Sequence, residues 1–474
     1  MNDNILKNKK ITIMGLGLFG GGAGLARFLV RRGARLIVTD LKTEAQLASS
    51  LTTLDGLPLE FHLGGHRETD FKDVDMVMVN PAVPKDSKFL QIARENNVPL
   101  ETEMNLFFKM CRAAILGVTG TKGKSTTTAL IGEMLRCQGR KVWVGGNIGL
   151  GYSLLERVDE IGLDDLVVLE LSSFQLEDLG QLKMSPHVCI VTNVAPNHLD
   201  RHGTYAEYIE AKKNVIRFQN PGDYCILNLD DQELRKWPSE TKAKIFWFST
   251  RDAVKRGTFL ENGNVHMRLG EGGPGEVVVS CLPDVKLPGA HNVANILAAS
   301  CAAFLVGARR EHIDKALRGF SGLEHRLEFV CDREGVHYYN DSIATTSESA
   351  IAGLVAFKGP VVLIAGGYDK GTPFDGFAEE CAKHTKCVIL IGKTAQKIGE
   401  LIVKARGRRD IPEILYAPSL EDAVRSAVNV SQGGDTVLLS PACASYDMFV
   451  NFEDRGRQFK ALAKGLDVAG QPRV

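Results

Sequence analysis

Residues Ala114–Thr128 read AILGVTGTKGKSTTT, and this stretch decides the fold. Ala114 to Val118 is short and apolar, the pattern of a strand buried on both faces. Gly117 falls inside the run, Gly120 and Gly123 follow it, and Lys124, Ser125 and Thr126 open a helical segment. Strand, glycine loop and helix in that order make a phosphate cradle, because backbone N–H groups and the positive helix end converge on an anion. On this reading Gly120, Thr121, Lys122, Gly123, Lys124, Ser125 and Thr126 bind ATP, with Lys124 at the β/γ oxygens and a hydroxyl on Mg²⁺. The general pattern places a glycine five residues before Gly123, where this chain has Val118. A glycine turn without a ligand is the bland alternative, and the strand–loop–helix context argues against it.

Working outward, Leu166–Glu177 reads LVVLELSSFQLE. Its apolar strand ends near Glu170, at the strand edge where parallel sheets bind ligands. A carboxylate there is either a satisfied strand-end acid or an oxygen ligand for Mg²⁺, and the neighbouring phosphate loop favours the metal. His187–Val191 forms another strand, followed by Asn197-His198-Leu199-Asp200-Arg201-His202. His198, Asp200 and His202 have a spacing that zinc could use, but no cysteine lies nearby to complete the set. His198 is therefore assigned to Mg²⁺. Lys212 lies in the helical segment Tyr205–Ile216 and by itself reads as a solvated lysine. The serines of LELSSF and SPACAS have no His–Asp partners in motif form and read as binding groups.

At the other end of the chain, Lys10–Met14 is a buried strand, Gly15–Gly24 a glycine run and Leu25–Arg32 a helix. Strand Arg35–Thr39 then ends at Asp40. Gly15-x-Gly17-x-x-Gly20 with Asp40 twenty residues later matches a dinucleotide-binding βαβ fingerprint. That leaves an NAD-dependent oxidoreductase open for this segment taken alone. Further strands are expected at Met76–Val79, Lys141–Val144, Tyr224–Leu227, Val336–Tyr339, Val361–Ala365, Cys387–Ile391 and Thr436–Ser440. Antiparallel hairpins are expected across Trp237–Val285, and a long apolar helix from Pro288 to Leu305.

The expected architecture is α/β with three domains in series. These are a Rossmann-like N-terminal domain (1–102), a central P-loop ATPase domain with a parallel sheet (103–321) and a Rossmann-like C-terminal domain (322–474). A length of 474 residues agrees, since a single core rarely serves more than roughly 250–300 residues. Lys plus Arg and Asp plus Glu both total 57, so no global field attracts nucleic acid or an anionic membrane. Ten cysteines without a CxxC pair read as reduced thiols of a cytoplasmic protein. The polar Met1–Lys10 does not read as a secretory signal, and Val293–Ala308 is short of the roughly 20 apolar residues of a membrane span.

Eight motifs then occur in one order: GTKGKSTTT, ELSSFQLE, NHLDRHGTY, IEAKK, LPGAHNVAN, EHRLE, NDSIATT and LLSPACASYDMFVNFEDRG. In this the chain resembles the Mur ligases over nearly its whole length. AGGYDKG and SPACAS, with no DNPR motif, point to the branch that adds D-glutamate to UDP-N-acetylmuramoyl-L-alanine. Another Mur-type ligase or a folylpolyglutamate synthetase is the nearest alternative. A non-catalytic nucleotide sensor is disfavoured by the retention of Lys124, Glu170, His198 and Lys212.

The resemblance implies ATP and two Mg²⁺ sites as cofactors. It puts Ser125, Glu170, His198 and a carbamylated Lys212 at the metals. Asn292, Arg326 and Asp341 become nucleotide contacts. Gly17, Leu18, Phe19, Asp40 and Asn147 become contacts to the UDP-linked substrate. Thr345, Lys370, Ser445 and Phe452 become contacts to D-glutamate. A monomer with small-molecule partners only is expected. The chain departs from the family pattern at Phe19, Leu41-Lys42, Asn197 and Ile343, where members carry a hydroxyl residue, Thr-Arg, aspartate and lysine.

Overall fold

Short apolar runs become parallel strands where helices can cover both sheet faces, and three such sheets form here. The computed structural model describes residues 6–17, 21–148, 153–270, 276–279, 290–320, 322–369 and 373–465. They divide into two units, Met1–Phe320 and Ser321–Val474.

The first unit begins with β1 (Lys10–Met14), β2 (Arg35–Asp40), β3 (Leu59–Leu63), β4 (Met76–Val79) and β5 (Leu100–Glu101). All pair in parallel in the order β3-β2-β1-β4-β5. The chain reverses its direction of sheet growth between β1 and β4, which opens a crevice at their C-terminal ends.

The second sheet contains β6 (Ala114–Thr119), β7 (Val142–Gly146), β8 (Leu166–Glu170), β9 (Val188–Val191), β10 (Tyr224–Asn228), β11 (Lys244–Ser249), β12 (Gly257–Glu261), β13 (Asn264–Arg268) and β14 (Glu276–Val279). Its order is β14-β13-β12-β11-β10-β9-β6-β8-β7. β6 therefore lies between β8 and β9, and the loop after it opens between their two C-terminal ends. The hairpin expectation holds only in part. β11 and β12 continue the parallel sheet, and only β12, β13 and β14 pair antiparallel.

Both sheets of this unit share one core, in which Phe28 and Leu29 cluster with Leu155 and Val158. A buried-edge ion pair runs alongside, with Arg27 Nε and Nη2 each 2.8 Å from the two carboxylate oxygens of Glu156. Bidentate geometry of this kind holds orientation as well as distance.

The second unit holds β15 (Glu328–Arg333), β16 (Val336–Asn340), β17 (Val361–Gly366), β18 (Thr385–Ile391), β19 (Glu413–Tyr416) and β20 (Thr436–Leu439). The order is β15-β16-β20-β17-β18-β19, parallel except for the β15–β16 hairpin. Among the described residues, no helix is long and apolar enough to cross a membrane.

Four strands have no counterpart in the sequence reading: β3, β5, β15 and β19. All four are sheet edges, where one side lacks a neighbour; exposed residues dilute the apolar run in β3, β15 and β19, and β5 is only the two residues Leu100–Glu101. The first helix also starts at Gly21 rather than Leu25.

The crossing of β6 against the Pro186 turn gives a direct test of this packing. A Cβ added at Gly117 would lie 2.4 Å from Pro186 Cγ and 2.9 Å from Leu171 Cδ1. Gly117→Ala is expected to destabilise the unit by about 1–3 kcal/mol, read as a lower midpoint in chemical denaturation.

Candidate functional site

The phosphate loop is built by close backbone approach. Gly120 has φ +147°, and a Cβ there would stand 2.0 Å from Thr192 Oγ1. Gly123 has φ +82° and would meet Asn295 Oδ1 at 2.3 Å. Both positions thus exclude side chains, by sterics and by backbone conformation. The segment after β9 cross-braces the loop. Thr121 N donates to Asn193 O (2.9 Å), Lys122 N to Asn193 Oδ1 (2.9 Å) and Thr192 Oγ1 to Lys122 O (2.6 Å).

Gly123 caps the helix Lys124–Cys137. First-turn N–H groups have no partner within their helix, and here they belong to Lys124, Ser125 and Thr126. Lys124 Nζ donates to Gly120 O (3.1 Å) and Thr121 O (3.0 Å), so its charge sits over the loop.

Glu170 closes β8 and is only 2% exposed. Its Oε1 accepts from Asn147 Nδ2 at 3.0 Å, while Oε2 is buried without a hydrogen-bond partner. An unpaired buried carboxylate oxygen is costly, which makes it a natural ligand position for a cation. Asn147, expected at the UDP-linked substrate, is thus placed beside Glu170 at the β7–β8 edge.

Lys212 is not solvated, contrary to its reading in isolation. It is 1% exposed, and its Nζ donates to Gly120 O (2.9 Å) and Thr119 Oγ1 (3.3 Å). Tyr208, Ala211, Lys212, Val215 and Ile216 form the buried stripe of the helix Tyr205–Arg217. Lys212 occupies an apolar position by periodicity, and that spacing was a readable signal. Burial first, and then the nearby Lys124 charge, hold its pKa well below the ordinary lysine value, against the pull of Glu170. Neighbouring Lys213 instead pairs with Glu210 and Glu240, each at 2.9 Å.

His198 is exposed and has φ +52° at the start of the short helix Leu199–His202. Its ring lies 5.3 Å from that of Phe174. The zinc alternative fails at His202, whose two ring nitrogens are engaged by Ser173 Oγ (2.9 Å) and Glu177 Oε1 (3.0 Å). Ser173 therefore does have a His–acid partnership, which the motif does not reveal because His202 lies 29 residues further along the chain. Among the described residues, no three His, Cys, Asp or Glu side chains converge as a ready-made metal cluster.

Asn292 is buried, and its Oδ1 accepts from Asn295 Nδ2 at 3.0 Å. Asn295, not singled out in the sequence, also reaches the loop helix through Thr127 Oγ1 at 3.4 Å.

In the first sheet, Asp40 braces the glycine turn. Its Oδ2 accepts from Gly17 N (3.2 Å) and its Oδ1 from Lys42 N (2.9 Å). Leu18 and Phe19 lie outside the described residues, as does Gly20.

The second unit is described by itself. Asp341 follows β16 and is 4% exposed. Its Oδ2 accepts from Ser440 Oγ (2.8 Å) and its Oδ1 from Leu327 N (3.2 Å). Burial pushes its carboxyl up to about 7, against those hydrogen bonds and the Arg326 charge. Arg326 is exposed, Thr345 half-buried and Ser445 buried. Phe452 stands edge-on to His325 at 6.0 Å. Lys370 lies outside the described residues.

Arg455, unremarked in the sequence, is fully buried and knots these segments together. It donates to Ser342 Oγ (2.9 Å), Ser342 O (2.8 Å) and Cys443 O (3.1 Å).

Comparison with known proteins agrees along the chain. Residues 9–101 match the Mur ligase MurD-like N-terminal domain, residues 118–303 the Mur ligase middle domain, and residues 325–443 the Mur ligase glutamate ligase domain. The chain belongs to the Mur ligase family. A UDP-N-acetylmuramoylalanine–D-glutamate ligase of Roseiflexus is 43% identical, over 97% of this chain and 99% of that protein. One from Caldanaerobacter subterraneus is 41% identical over the same shares.

Among solved structures, the UDP-N-acetylmuramate–alanine ligase MurC of Thermotoga maritima has the same fold, with a TM-score of 0.58 at 20% identity over 96% of this chain and 99% of that one. This Mur ligase is accordingly an ATP-dependent, amide-bond-forming enzyme of peptidoglycan synthesis, which closes the oxidoreductase reading.

The raised Asp341 carboxyl makes a signed prediction for the second unit. Folding favours its protonated form, so its contribution is complete below the usual carboxylate pKa and is lost as pH rises through about 7. The unfolding free energy of the wild type minus that of Asp341→Asn is expected to fall by roughly 2–4 kcal/mol between about pH 4 and about pH 7. Denaturation series at several pH values would read it, and a flat difference would refute it.

Proposed function

We propose that this Mur ligase joins D-glutamate to UDP-N-acetylmuramoyl-L-alanine through an acyl phosphate. The end-to-end similarity to D-glutamate ligases carries the substrate assignment. The loop Gly120–Lys124, bonded to Lys212 at Gly120 O, with Glu170 at the end of the neighbouring strand β8, supports the chemistry. The central block 103–321 would bind ATP, residues 1–102 the UDP-linked substrate and residues 322–474 the amino acid. We further propose that the enzyme works as a cytoplasmic monomer on these small molecules.

The reaction has two steps. The L-alanine carboxylate attacks the γ-phosphorus of ATP, the bond to the bridging oxygen breaks, and ADP leaves. The amine of D-glutamate, having lost a proton, then attacks the acyl carbon, and inorganic phosphate departs. Anionic oxygens crowd together in the first step, so fixed positive charge contributes most there. Lys124 supplies a full charge, and the N–H groups of Ser125 and Thr126 supply partial ones. No protein nucleophile is required, and Ser173 is 3% exposed and committed to His202.

The residues present suit Mg²⁺, a hard cation that prefers oxygen ligands. Ser125 Oγ, the unpartnered Oε2 of Glu170, His198 and a carbamylated Lys212 would hold two such ions. Bound there, the metal would neutralise phosphate oxygens and polarise the phosphoryl group. Lys212 held below its ordinary pKa has a larger share of neutral amine, which adds CO₂ and releases a proton to give a carbamate anion. That converts a cation beside Lys124 into an oxygen donor. Asn292, Arg326 and Asp341 would hold the nucleotide. Gly17, Leu18, Phe19, Asp40 and Asn147 would contact the UDP-linked substrate, and Thr345, Lys370, Ser445 and Phe452 the incoming D-glutamate.

The function is tested by ADP and phosphate release with ATP, Mg²⁺ and UDP-N-acetylmuramoyl-L-alanine, adding amino acids singly. Release with D-glutamate alone, with an amide-linked product by mass spectrometry, is expected. Turnover with another amine instead would move the enzyme to another branch of the family.

Lys124→Ala should lower kcat by about 10²–10³-fold, the loss of one strong electrostatic contact. For Lys212, isotopically labelled bicarbonate should give a carbamate carbon resonance that Lys212→Arg abolishes. A wild type without that resonance would remove the modification from the mechanism.

A further inference from the structure

The helix Leu199–His202 carries more than His198, and its other contacts lead away from the phosphate loop to the first sheet. Arg201 Nη2 donates to Pro81 O at 3.0 Å, and its guanidinium lies 4.4 Å over the Phe174 ring. Phe174 also stacks on His202, with ring centroids 5.0 Å apart and planes 6° from parallel. His202 Nδ1 faces Glu177 Oε1 at 3.0 Å. A carboxylate only accepts, so Nδ1 carries a proton toward Glu177, and Nε2 shares a hydrogen bond with the Ser173 hydroxyl. The second oxygen of Glu177 pairs with Lys85. Two chains of contacts, one through Arg201 and one through His202 and Glu177, thus end on the segment Pro81–Lys85.

That segment forms one wall of the glycine turn after β1. Asn80 Nδ2 donates to Gly15 O (3.1 Å), and Asn80 N donates to Met14 O (3.0 Å). Val83 N closes a turn onto Asn80 O at 2.9 Å, and Val83 Cγ2 stands 3.6 Å from the position a Gly15 Cβ would take. The turn Gly15–Gly17 is where the proposed function puts the UDP-linked substrate. At the far end of the same contacts, His198 precedes Arg201 by three residues on one helical turn. The helix is a single turn, so its own hydrogen bonds hold it weakly. Its placement depends on the partners of Arg201 and His202.

We infer that Arg201, His202, Glu177 and Lys85 are positioning residues that strap His198 to the UDP-substrate turn, so that occupancy of that turn and binding of metal–nucleotide reinforce each other. The inference rests on the proposed function. Ordering Pro81–Lys85 around a bound substrate orders the carbonyls and the ammonium that Arg201 and Glu177 hold. The short helix then presents His198 in one place, and the entropy of fixing it is spent by the first ligand rather than the second. By linkage the effect is reciprocal.

The test is calorimetry of the full chain with Mg²⁺ and the β,γ-imido analogue of ATP, without and then with saturating UDP-N-acetylmuramoyl-L-alanine. The wild type should bind the analogue more tightly in the presence of the UDP compound, by a factor between about 5 and 150. Arg201→Ala and Lys85→Met, both at exposed side chains, should shrink that factor at least several-fold. Binding of the analogue alone should hold. His202→Gln, which keeps one hydrogen-bonding group, should fall between them and the wild type.

Equal tightening in the wild type and in the Arg201→Ala, Lys85→Met double variant would overturn the inference. So would a wild type that shows no tightening. D-Glutamate-dependent ADP release by the wild type tests the proposed function separately, so the two failures are distinguishable.

Discussion

The contact between Gly120 and Thr192 governs the catalytic edge of the first unit. A Cβ at Gly120 would come within 2.0 Å of Thr192 Oγ1, so the loop after β6 and the segment after β9 touch through backbone. From that approach follow the cross-bracing of Thr121 and Lys122 by Asn193, and the position of Gly120 O. Two lysines from different helices, Lys124 and Lys212, donate to that one carbonyl oxygen. A side chain at Gly120 would push the strands apart and displace the carbonyl acceptor both lysines share.

Shared placement sets the electrostatics. Burial first, and then repulsion from the Lys124 ammonium at the same oxygen, lower the pKa of Lys212, which is 1% exposed. Glu170 offsets part of this but keeps one oxygen buried and unpartnered. The site therefore holds strain in the form of unsatisfied charge. A buried carboxylate oxygen without a partner suits a site that takes a polyphosphate with divalent cations, since a cation there would satisfy it.

The division between legible and illegible features follows burial. Strands β1, β4, β6, β8 and β17 were readable because helices cover both faces and the apolar run is nearly unbroken. Edge strands β3, β5, β15 and β19 were not, because each has an open side that tolerates polar residues. The same contrast applies to side chains. Lys124 opens a helix and Glu170 closes a strand, each within a local motif. Arg455 acts on Ser342, 113 residues away along the chain, as well as on Cys443, so its local sequence offers no sign of burial.

By itself the sequence determined the order of the elements, the phosphate loop and the membership of a ligase family, because these depend on neighbours a few residues apart. Apolar periodicity, glycine spacing and helix-opening hydroxyls are all local constraints. Only the tertiary structure decided that Lys212 is buried at the loop while Lys213 pairs with Glu210 and Glu240, and that His202 is committed to Ser173 and Glu177 rather than open to zinc. It alone tied Arg201 and Lys85 into one set of contacts. Protonation and orientation depend on the whole field and packing around a group. That environment is assembled from strands and helices that meet only after the chain has folded.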